Sequence, residues 1–383
     1  MSRSLEILVL EQVAVKQPRG GVARYVRQMI AALNKTFGDK VAVCSDLSDL
    51  PADTRRVRLP QLGFRGMYRI GLDGIVLKGQ TRFFNRLVNQ LKPALVFSPF
   101  CGLIAKGVPQ VFTVYDFALE RYPDLFIKRL LPRQLALMQE CYRAAAALLC
   151  ISESTRRDLL HFYPFVNPEL VHVTHLGVDE DFLRSDPCPP TAEASYILFV
   201  GNRDVRKNFK RLLEAFAESG LARDYELRVV TPQSTKAAQW TPAEIGFIRA
   251  QDITHRVKLE AAISEDRLRQ LYRGASFFVY PSEYEGFGLP ILEAMASRTI
   301  VLCSNTSSLP EVAGDAAIYF DPFDTSSISQ ALQKATSLSP SERAHLIEKG
   351  FARARAFSWS KCTDKTISIL QQVLARYVCR RSQ

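Results

Sequence analysis

Metal-binding and disulfide spacing is what the chain most plainly lacks. Its eight cysteines (44, 101, 141, 150, 188, 303, 362 and 379) form no Cys-x-x-Cys pair, and several sit in apolar runs. Reduced thiols in a cytosolic protein fit that usage better than a disulfide framework or a zinc site. His172 and His175 fall in a strand pattern without partners at ligand spacing, so they make no zinc site either. No apolar stretch approaches the length of a membrane span. The opening Met1-Ser2-Arg3-Ser4-Leu5-Glu6-Ile7 enters a strand at once and shows no secretory core with a cleavage site, which predicts a cytoplasmic chain. The dinucleotide fingerprint Gly-x-Gly-x-x-Gly is missing after the first strand, where Pro18-Arg19-Gly20-Gly21-Val22 stands instead. That argues against a nicotinamide-dependent oxidoreductase.

What is present begins with size and charge. At 383 residues the chain exceeds one ordinary core, and two domains are expected. With 47% apolar and 23% charged residues it has the composition of a globular protein. The formal charge is +11, and between Thr54 and Lys92 nine basic residues face a single acid, Asp73. Phe64, Met67, Tyr68, Ile70, Leu72, Phe83 and Phe84 are interleaved there. Such a mixture suits an anionic membrane surface or a lipid-diphosphate acceptor; it also suits a solvated helix face with its core stripe. Nucleic acid is a poorer explanation and is not expected as a partner, because no nucleic-acid-binding motif accompanies the charge.

Periodicity gives the architecture. Leu5–Leu10, Ala94–Pro99 and Gln110–Tyr115 read as strands of a first half. Ser185 to Glu193, with prolines at 187, 189 and 190, reads as a stiff linker. The alternation then restarts with strands at Tyr196–Val200, Glu226–Val230 and Ala275–Tyr280 and helices at Phe209–Ser219 and Asp266–Gly274. Strands alternating with helices in both halves predict an α/β protein of two doubly wound parallel sheets. The expected boundaries are 1–184, a linker at 185–194, 195–358, and a last helix over 359–383. Ligands of such folds bind beyond the carboxyl ends of the strands.

Two stretches carry chemistry at those ends. Tyr280–Ala296 (YPSEYEGFGLPILEAMA) reads as strand, glycine-bearing loop and helix, with Pro290 at the first helical position. A helix N-terminus offers free N–H groups to a phosphate. Glu285 in the loop can face the sugar end of a nucleotide-sugar, and Glu293, read in the first helical turn, can accept from a ribose diol. Glu293 can equally just complement the helix dipole. The second stretch, Gly201-Asn202-Arg203-Asp204-Val205-Arg206-Lys207-Asn208, sets two cations side by side past a strand end. They can stabilise a diphosphate leaving group, or merely be solvated. Near the start, Gly20-Gly21 opens a helix, which allows close backbone approach or is a plain turn. Asp179-Glu180-Asp181 spells Asp-x-Asp, but its place after Gly177-Val178 reads as a surface turn rather than a metal site.

The string Glu285-Gly286-Phe287-Gly288-Leu289-Pro290 with Glu293-Ala294-Met295-Ala296 resembles the donor-site signature of family-4 retaining glycosyltransferases of the GT-B fold. The resemblance extends to Phe199-Val200-Gly201 through Arg206-Lys207-Asn208-Phe209, similar to that family's basic clamp, and spans nearly the whole chain. It implies two Rossmann-like domains facing each other across a cleft, the first binding acceptor and the second nucleotide-sugar. It assigns Glu285 to the sugar hydroxyls, Arg206 and Lys207 to the leaving diphosphate, and Glu293 to the nucleotide. Gly20, Gly21, Gly201, Asn202, Gly286, Phe287, Gly288 and Leu289 become donor-binding positions, and Lys258 and Leu259 meet the base. Tyr115 and Asp116, which the resemblance places among the catalytic residues, stand where members usually carry His-Asp, so an imidazole contact to the sugar is lost. Glu260 and Thr231 likewise replace usual glycines. The Gly-Gly-Val-Ala-Arg-Tyr run and the Arg-Lys-Asn-Phe clamp resemble mannosyltransferase-like members that build bacterial surface polysaccharides. The expected activity is retaining transfer of mannose from GDP-mannose to a glycan or lipid-linked hydroxyl, without a metal, peripheral to the inner face of the plasma membrane. Transfer from a UDP- or dTDP-sugar is the alternative within that family. A non-catalytic membrane- or polyanion-binding protein is the alternative outside it.

Overall fold

In the computed structural model the described residues are 5–10, 20–45, 50, 52–57, 73–128, 130–184, 195–231 and 239–381. The expected linker at 185–194 lies outside them, as do Pro18, Arg19 and the apolar residues between 58 and 72. The chain divides into two compact units: residues 1–175 with 359–383, and residues 176–358. The division falls at Leu176, ahead of the Pro-rich segment.

Unit 1 holds, among the described residues, one six-stranded parallel sheet. Its strands are β1 (Ile7–Leu10), β2 (Val41–Cys44), β3 (Leu95–Ser98), β4 (Gln110–Val114), β5 (Ala147–Cys150) and β6 (Val171–Val173), in the order β2-β1-β3-β4-β5-β6. These strands read as unbroken apolar runs because helices cover both faces of such a sheet. Every residue of β1 is buried. Helix α1 (Gly21–Phe37) opens at the Gly20-Gly21 pair and buries Tyr25, Val26, Met29, Ile30 and Leu33 at helical spacing. Helices α2 (Asp73–Leu91), α3 (Ala118–Arg121), α4 (Leu131–Ala144) and α5 (Glu153–Phe162) follow. Ser152 caps α5, accepting from the Thr155 amide at 2.9 Å.

Unit 2 opens with α6 (Glu180–Leu183), so Asp179-Glu180-Asp181 begins a short helix rather than a surface turn. Acids in a first turn complement the helix dipole. Its strands are β7 (Tyr196–Val200), β8 (Glu226–Thr231), β9 (Val257–Ala261), β10 (Phe277–Tyr280), β11 (Val301–Ser304) and β12 (Ala317–Phe320). Among the described residues they form a parallel sheet ordered β12-β11-β10-β7-β8-β9. The core is aromatic-rich, with Phe199, Phe209, Phe216 and Phe277 fully buried. Helices α7 (Phe209–Glu218), α8 (Pro242–Ala250), α9 (Glu265–Gly274), α10 (Leu289–Ala296), α11 (Leu309–Ala313), α12 (Thr325–Thr336) and α13 (Pro340–Ala356) complete it. The last helix, α14 (Trp359–Arg381), returns to unit 1, where Trp359 meets Tyr25 with ring centroids 6.5 Å apart. Among the described residues no helix is long and apolar enough to cross a membrane.

Candidate active site

The sheet of unit 2 grows outward in both directions from its middle. From β7 the chain adds β8 and β9 on one side; β10, β11 and β12 then fill the other. The loops leaving β7 and β10 therefore part at a switch point, where open α/β sheets form a ligand crevice. Those loops are the two stretches that carry Arg206-Lys207 and Glu285. A backbone bond ties them, the Glu283 amide donating to the Arg206 carbonyl at 2.9 Å.

The basic loop is held rigid by its own polar residues. Asp204 caps a 3₁₀ turn over Val205–Lys207, accepting from the Lys207 amide at 3.0 Å. Asn208 follows in the left-handed conformation at φ 55°, which Asn tolerates better than most residues. Its buried amide donates to the carbonyls of Pro281 (3.1 Å) and Pro322 (2.7 Å). Arg211 donates to Asn208 Oδ1 at 3.0 Å and to Glu283 at 2.7 Å. Gly201 sits at φ 156°, with Lys207 Cδ at 3.8 Å from where a Cβ would stand. Asn202 is exposed.

At the centre both cations grip one carboxylate. Lys207 Nζ donates to Glu285 Oε1 at 2.5 Å and to the Tyr280 hydroxyl at 2.7 Å. Arg206 Nη1 donates to Glu285 Oε2 at 3.3 Å and to the Tyr284 carbonyl at 3.2 Å. The three side chains are 9–16% exposed. Burial by itself would push Glu285 up, but Lys207 and then Arg206 outweigh it and hold the carboxyl below its ordinary value. Burial would lower Lys207, yet Glu285 and Tyr280 raise it above the ordinary ammonium value. Burial, helped by Glu285 and opposed by Lys207, pushes the Tyr280 hydroxyl up to about 12. Near neutrality Glu285 therefore stays an anion, Lys207 a cation and Tyr280 a neutral hydroxyl, and the Arg206 guanidinium adds the second positive charge.

The glycine loop runs straight into α10. Gly288 takes φ 116°, and an added Cβ would stand 3.0 Å from Leu309 Cδ2, so glycine is required there. The helix begins at Leu289, which puts Pro290 second, not first. Glu293 is consequently the fifth helical residue, beyond the first turn, and its Oε2 accepts from the Tyr272 hydroxyl at 3.0 Å. The loop is pinned from below by two serines. Ser307 Oγ accepts from the Glu285 amide at 3.0 Å; Ser308 Oγ donates to the carbonyls of Glu285 (2.9 Å) and Phe287 (2.7 Å). Gly286 is buried in the same loop, and Phe287 packs edge-on against Phe357 at 5.8 Å.

Unit 2 thus brings Gly201, Arg206, Lys207, Glu285 and the 286–289 loop together. Lys258 and Leu259 lie on its edge strand β9, Lys258 exposed and Leu259 half-buried. Gly20, Gly21, Tyr115 and Asp116 belong to unit 1. Gly20 is the N-cap of α1, its carbonyl accepting from the Arg24 amide at 3.1 Å, and Gly21 is the first helical residue. Tyr115 uses its hydroxyl proton on the Pro99 carbonyl at 2.7 Å, so toward a ligand that oxygen is an acceptor. Asp116 accepts from the Ala118 amide at 3.1 Å. Sequence reasoning missed Tyr280, Tyr272, Ser307 and Ser308. Ser308 does carry a signal, Ser before Leu-Pro-Glu, but that pattern predicts a helix cap, and here the hydroxyl serves the neighbouring loop instead. Among the described residues no group of three or more His, Cys, Asp or Glu is placed to hold a metal ion.

Comparison with known proteins agrees with this geometry. The family described as Glycosyltransferase Family 4 matches residues 19–182, and that described as Glycosyl transferases group 1 matches residues 189–353. The chain is 30% identical over 268 residues to O-antigen chain mannosyltransferase B of Escherichia coli, covering 67% of this chain and 69% of that protein. It is 32% identical over 241 residues to the MMP alpha-(1→4)-mannosyltransferase of Mycolicibacterium hassiacum, covering 61% of this chain and 56% of that relative. The solved sucrose-phosphate synthase of Thermosynechococcus elongatus shares the fold with a TM-score of 0.78 at 19% identity, covering 97% of this chain and 100% of that one. Two Rossmann-like units, a switch-point loop pair with two cations on one glutamate, and these matches lead to one placement: the chain belongs to the group 1 glycosyl transferases and is a glycosyltransferase of the GT-B fold.

Proposed function

We propose that the chain transfers mannose from GDP-mannose, with retention, to a hydroxyl of a glycan or lipid-linked acceptor in cell-surface polysaccharide synthesis. Two relatives named as mannosyltransferases support the sugar, and the one named for the O-antigen chain supports the setting. The observation that carries the chemistry is the fixed grip of Arg206 and Lys207 on Glu285 beside the start of α10. A departing nucleoside diphosphate gains negative charge, and preorganised cations stabilise that charge without reorganising.

The same grip favours transfer on one face of the sugar. A carboxylate held below its ordinary pKa by two cations is a weak base and a weak nucleophile, so Glu285 suits binding of sugar hydroxyls better than attack on the anomeric carbon. The leaving phosphate oxygen then takes the acceptor's proton as the new glycosidic bond forms. Glu293, oriented by Tyr272, is left to accept from the nucleotide's ribose diol. Gly20 and Gly21 keep their donor-binding assignment, and Tyr115 and Asp116 their catalytic one, on family resemblance alone.

The test is a panel of nucleotide-sugars scored by thermal protection and slow hydrolysis. GDP-mannose should protect the protein and release GDP. Protection by UDP- or dTDP-sugars alone would replace the donor, and protection by none would overturn the reading.

A further inference from the structure

Successive side chains of a strand point to opposite faces, and β10 divides its four residues accordingly. Phe277 and Val279 enter the core of unit 2 among Ile197, Phe199 and Leu302. Phe278 and Tyr280 take the other face, both buried. Their rings stack with centroids 5.7 Å apart at 26°. Phe278 also meets Tyr272 of α9 edge-on, at 5.4 Å and 65°. Tyr272 in turn packs edge-on against the buried Phe182 of α6 at 5.9 Å. The two tyrosines carry the polar ends of this column. Tyr280 accepts from Lys207 Nζ at 2.7 Å, and the ammonium lies 5.0 Å from the centre of its ring. Tyr272 donates to Glu293 Oε2 at 3.0 Å. Three buried rings therefore join Lys207 of the basic loop to Glu293 of α10.

That connection bears on transfer because a lysine is a point charge on a flexible four-carbon stem. Its value to a departing diphosphate depends on what holds the ammonium in place beforehand. Glu285 holds it on one side, but Glu285 is also read as the partner of the sugar hydroxyls. Tyr280 holds it from a residue without that second task. Its hydroxyl is pushed up to about 12 and stays neutral, so it adds an acceptor without adding a negative charge. Phe278 has no polar side-chain atom, so it acts on either end only through packing. Aromatic pairs keep preferred stacked or edge-on arrangements, and a close-packed column of them transmits a displacement at one end to the other.

We propose that Tyr280, Phe278 and Tyr272 form an aromatic strut that positions Lys207 against the leaving diphosphate and fixes Glu293 relative to it. The inference rests on the reading of Lys207 and Glu293 as the diphosphate and ribose groups, and it makes the three aromatics positioning residues. The full chain is assayed for GDP-mannose turnover and titrated with GDP and with UDP by calorimetry. Tyr280→Phe keeps the ring and removes the acceptor. It should lower kcat roughly 10- to 100-fold, the equivalent of one hydrogen bond to a charged group, with KM within about twofold. In a Lys207→Ala background the same substitution should lower kcat by less than about twofold, because both changes act through one contact. Phe278→Leu should weaken diphosphate binding roughly 2- to 10-fold, the scale of one aromatic pair. Phe277→Leu, on the opposite face of the same strand, is the control. It should lower Tm about as much as Phe278→Leu while leaving kcat and diphosphate affinity unchanged. Equal loss of affinity in the two leucine variants, or additive kcat losses for Tyr280→Phe and Lys207→Ala, overturns the strut. A wild type that leaves GDP-mannose intact strikes the transfer reading alone, and the two leucine variants are then compared by their affinity for GDP or UDP. A wild type that binds neither diphosphate overturns both.

Discussion

At the scale of single residues the site is a small electrostatic balance. Arg206 and Lys207 share Glu285, so removing either cation leaves the carboxylate partly compensated, while removing the carboxylate leaves two neighbouring cations unopposed. Lys207→Ala is therefore expected to lower kcat by the equivalent of about 2.7–4 kcal/mol, as for loss of one preorganised donor, with the fold retained by circular dichroism. Glu285→Gln behaves oppositely in binding. It should cost about 3–5 kcal/mol of stability, the scale for breaking a buried pair, and cut turnover. Yet GDP should bind about tenfold tighter, near 1.4 kcal/mol, because the phosphates no longer compete with a carboxylate. Calorimetry showing weaker GDP binding to this variant would refute that balance. The pH dependence follows from the same pair. Glu285 is held low, so its contribution is complete above the unfolded value of about 4.3 and is lost as pH falls through the lower folded value. Lys207 is held high, so its contribution is complete below about 10.4 and is lost as pH rises through the raised folded value. A plot of Tm against pH should show both shoulders in the wild type; in Glu285→Gln the acid shoulder should vanish and the alkaline one shrink, since Glu285 is the larger of the two groups that raise Lys207.

At the scale of elements, the two loops are built by parts that local sequence reveals unequally. Buried strands such as β7 and β10 were legible as unbroken apolar runs, and the glycine-rich turn into α10 was legible from Gly286 and Gly288. The start of that helix was misjudged by one position. Proline is tolerated at either of the first two positions, because neither N–H has an intrahelical partner. Glu293 was displaced with it, and its partner Tyr272 lies 21 residues upstream, beyond any local pattern. The meeting of Lys207 with Glu285 spans 78 residues and depends on β10 pairing beside β7, an order that periodicity does not encode. Family resemblance gave both residues roles at one donor site but did not foresee the ion pair between them. Ser308 was hidden for a different reason, since its hydroxyl leaves the cap its sequence suggests and supports the carbonyls of Glu285 and Phe287. Ser308→Ala leaves those buried acceptors without that donor and should cost about 1–3 kcal/mol. The loosened loop should also raise KM for the donor more than it lowers kcat. A kcat loss at unchanged KM would place Ser308 in the chemistry instead of beneath it.

At the scale of the whole molecule the question is how a chain with formal charge +11 handles an anionic leaving group. One route is a divalent metal on an Asp-x-Asp, and the chain contains that spelling at Asp179-Glu180-Asp181. In unit 2 these residues start α6, where Glu180 and Asp181 complement the helix dipole and Asp181 lies 3.9 Å from Arg269. The other route is protein cations. Arg206 and Lys207 exceed Glu285 by one positive charge, and the start of α10 adds roughly half an elementary charge more. On the proposed function, these groups beside the switch point would stabilise charge developing on the diphosphate with side chains that need not move. Turnover with GDP-mannose is therefore expected to persist in excess chelator, and added magnesium or manganese should change kcat by less than about twofold, under 0.5 kcal/mol. The chelator assay should be paired with Asp179→Asn and Asp181→Asn, which are expected to leave kcat unchanged. Loss of turnover in chelator, restored by manganese and abolished by those substitutions, would move leaving-group stabilisation from the basic loop to the Asp-x-Asp segment.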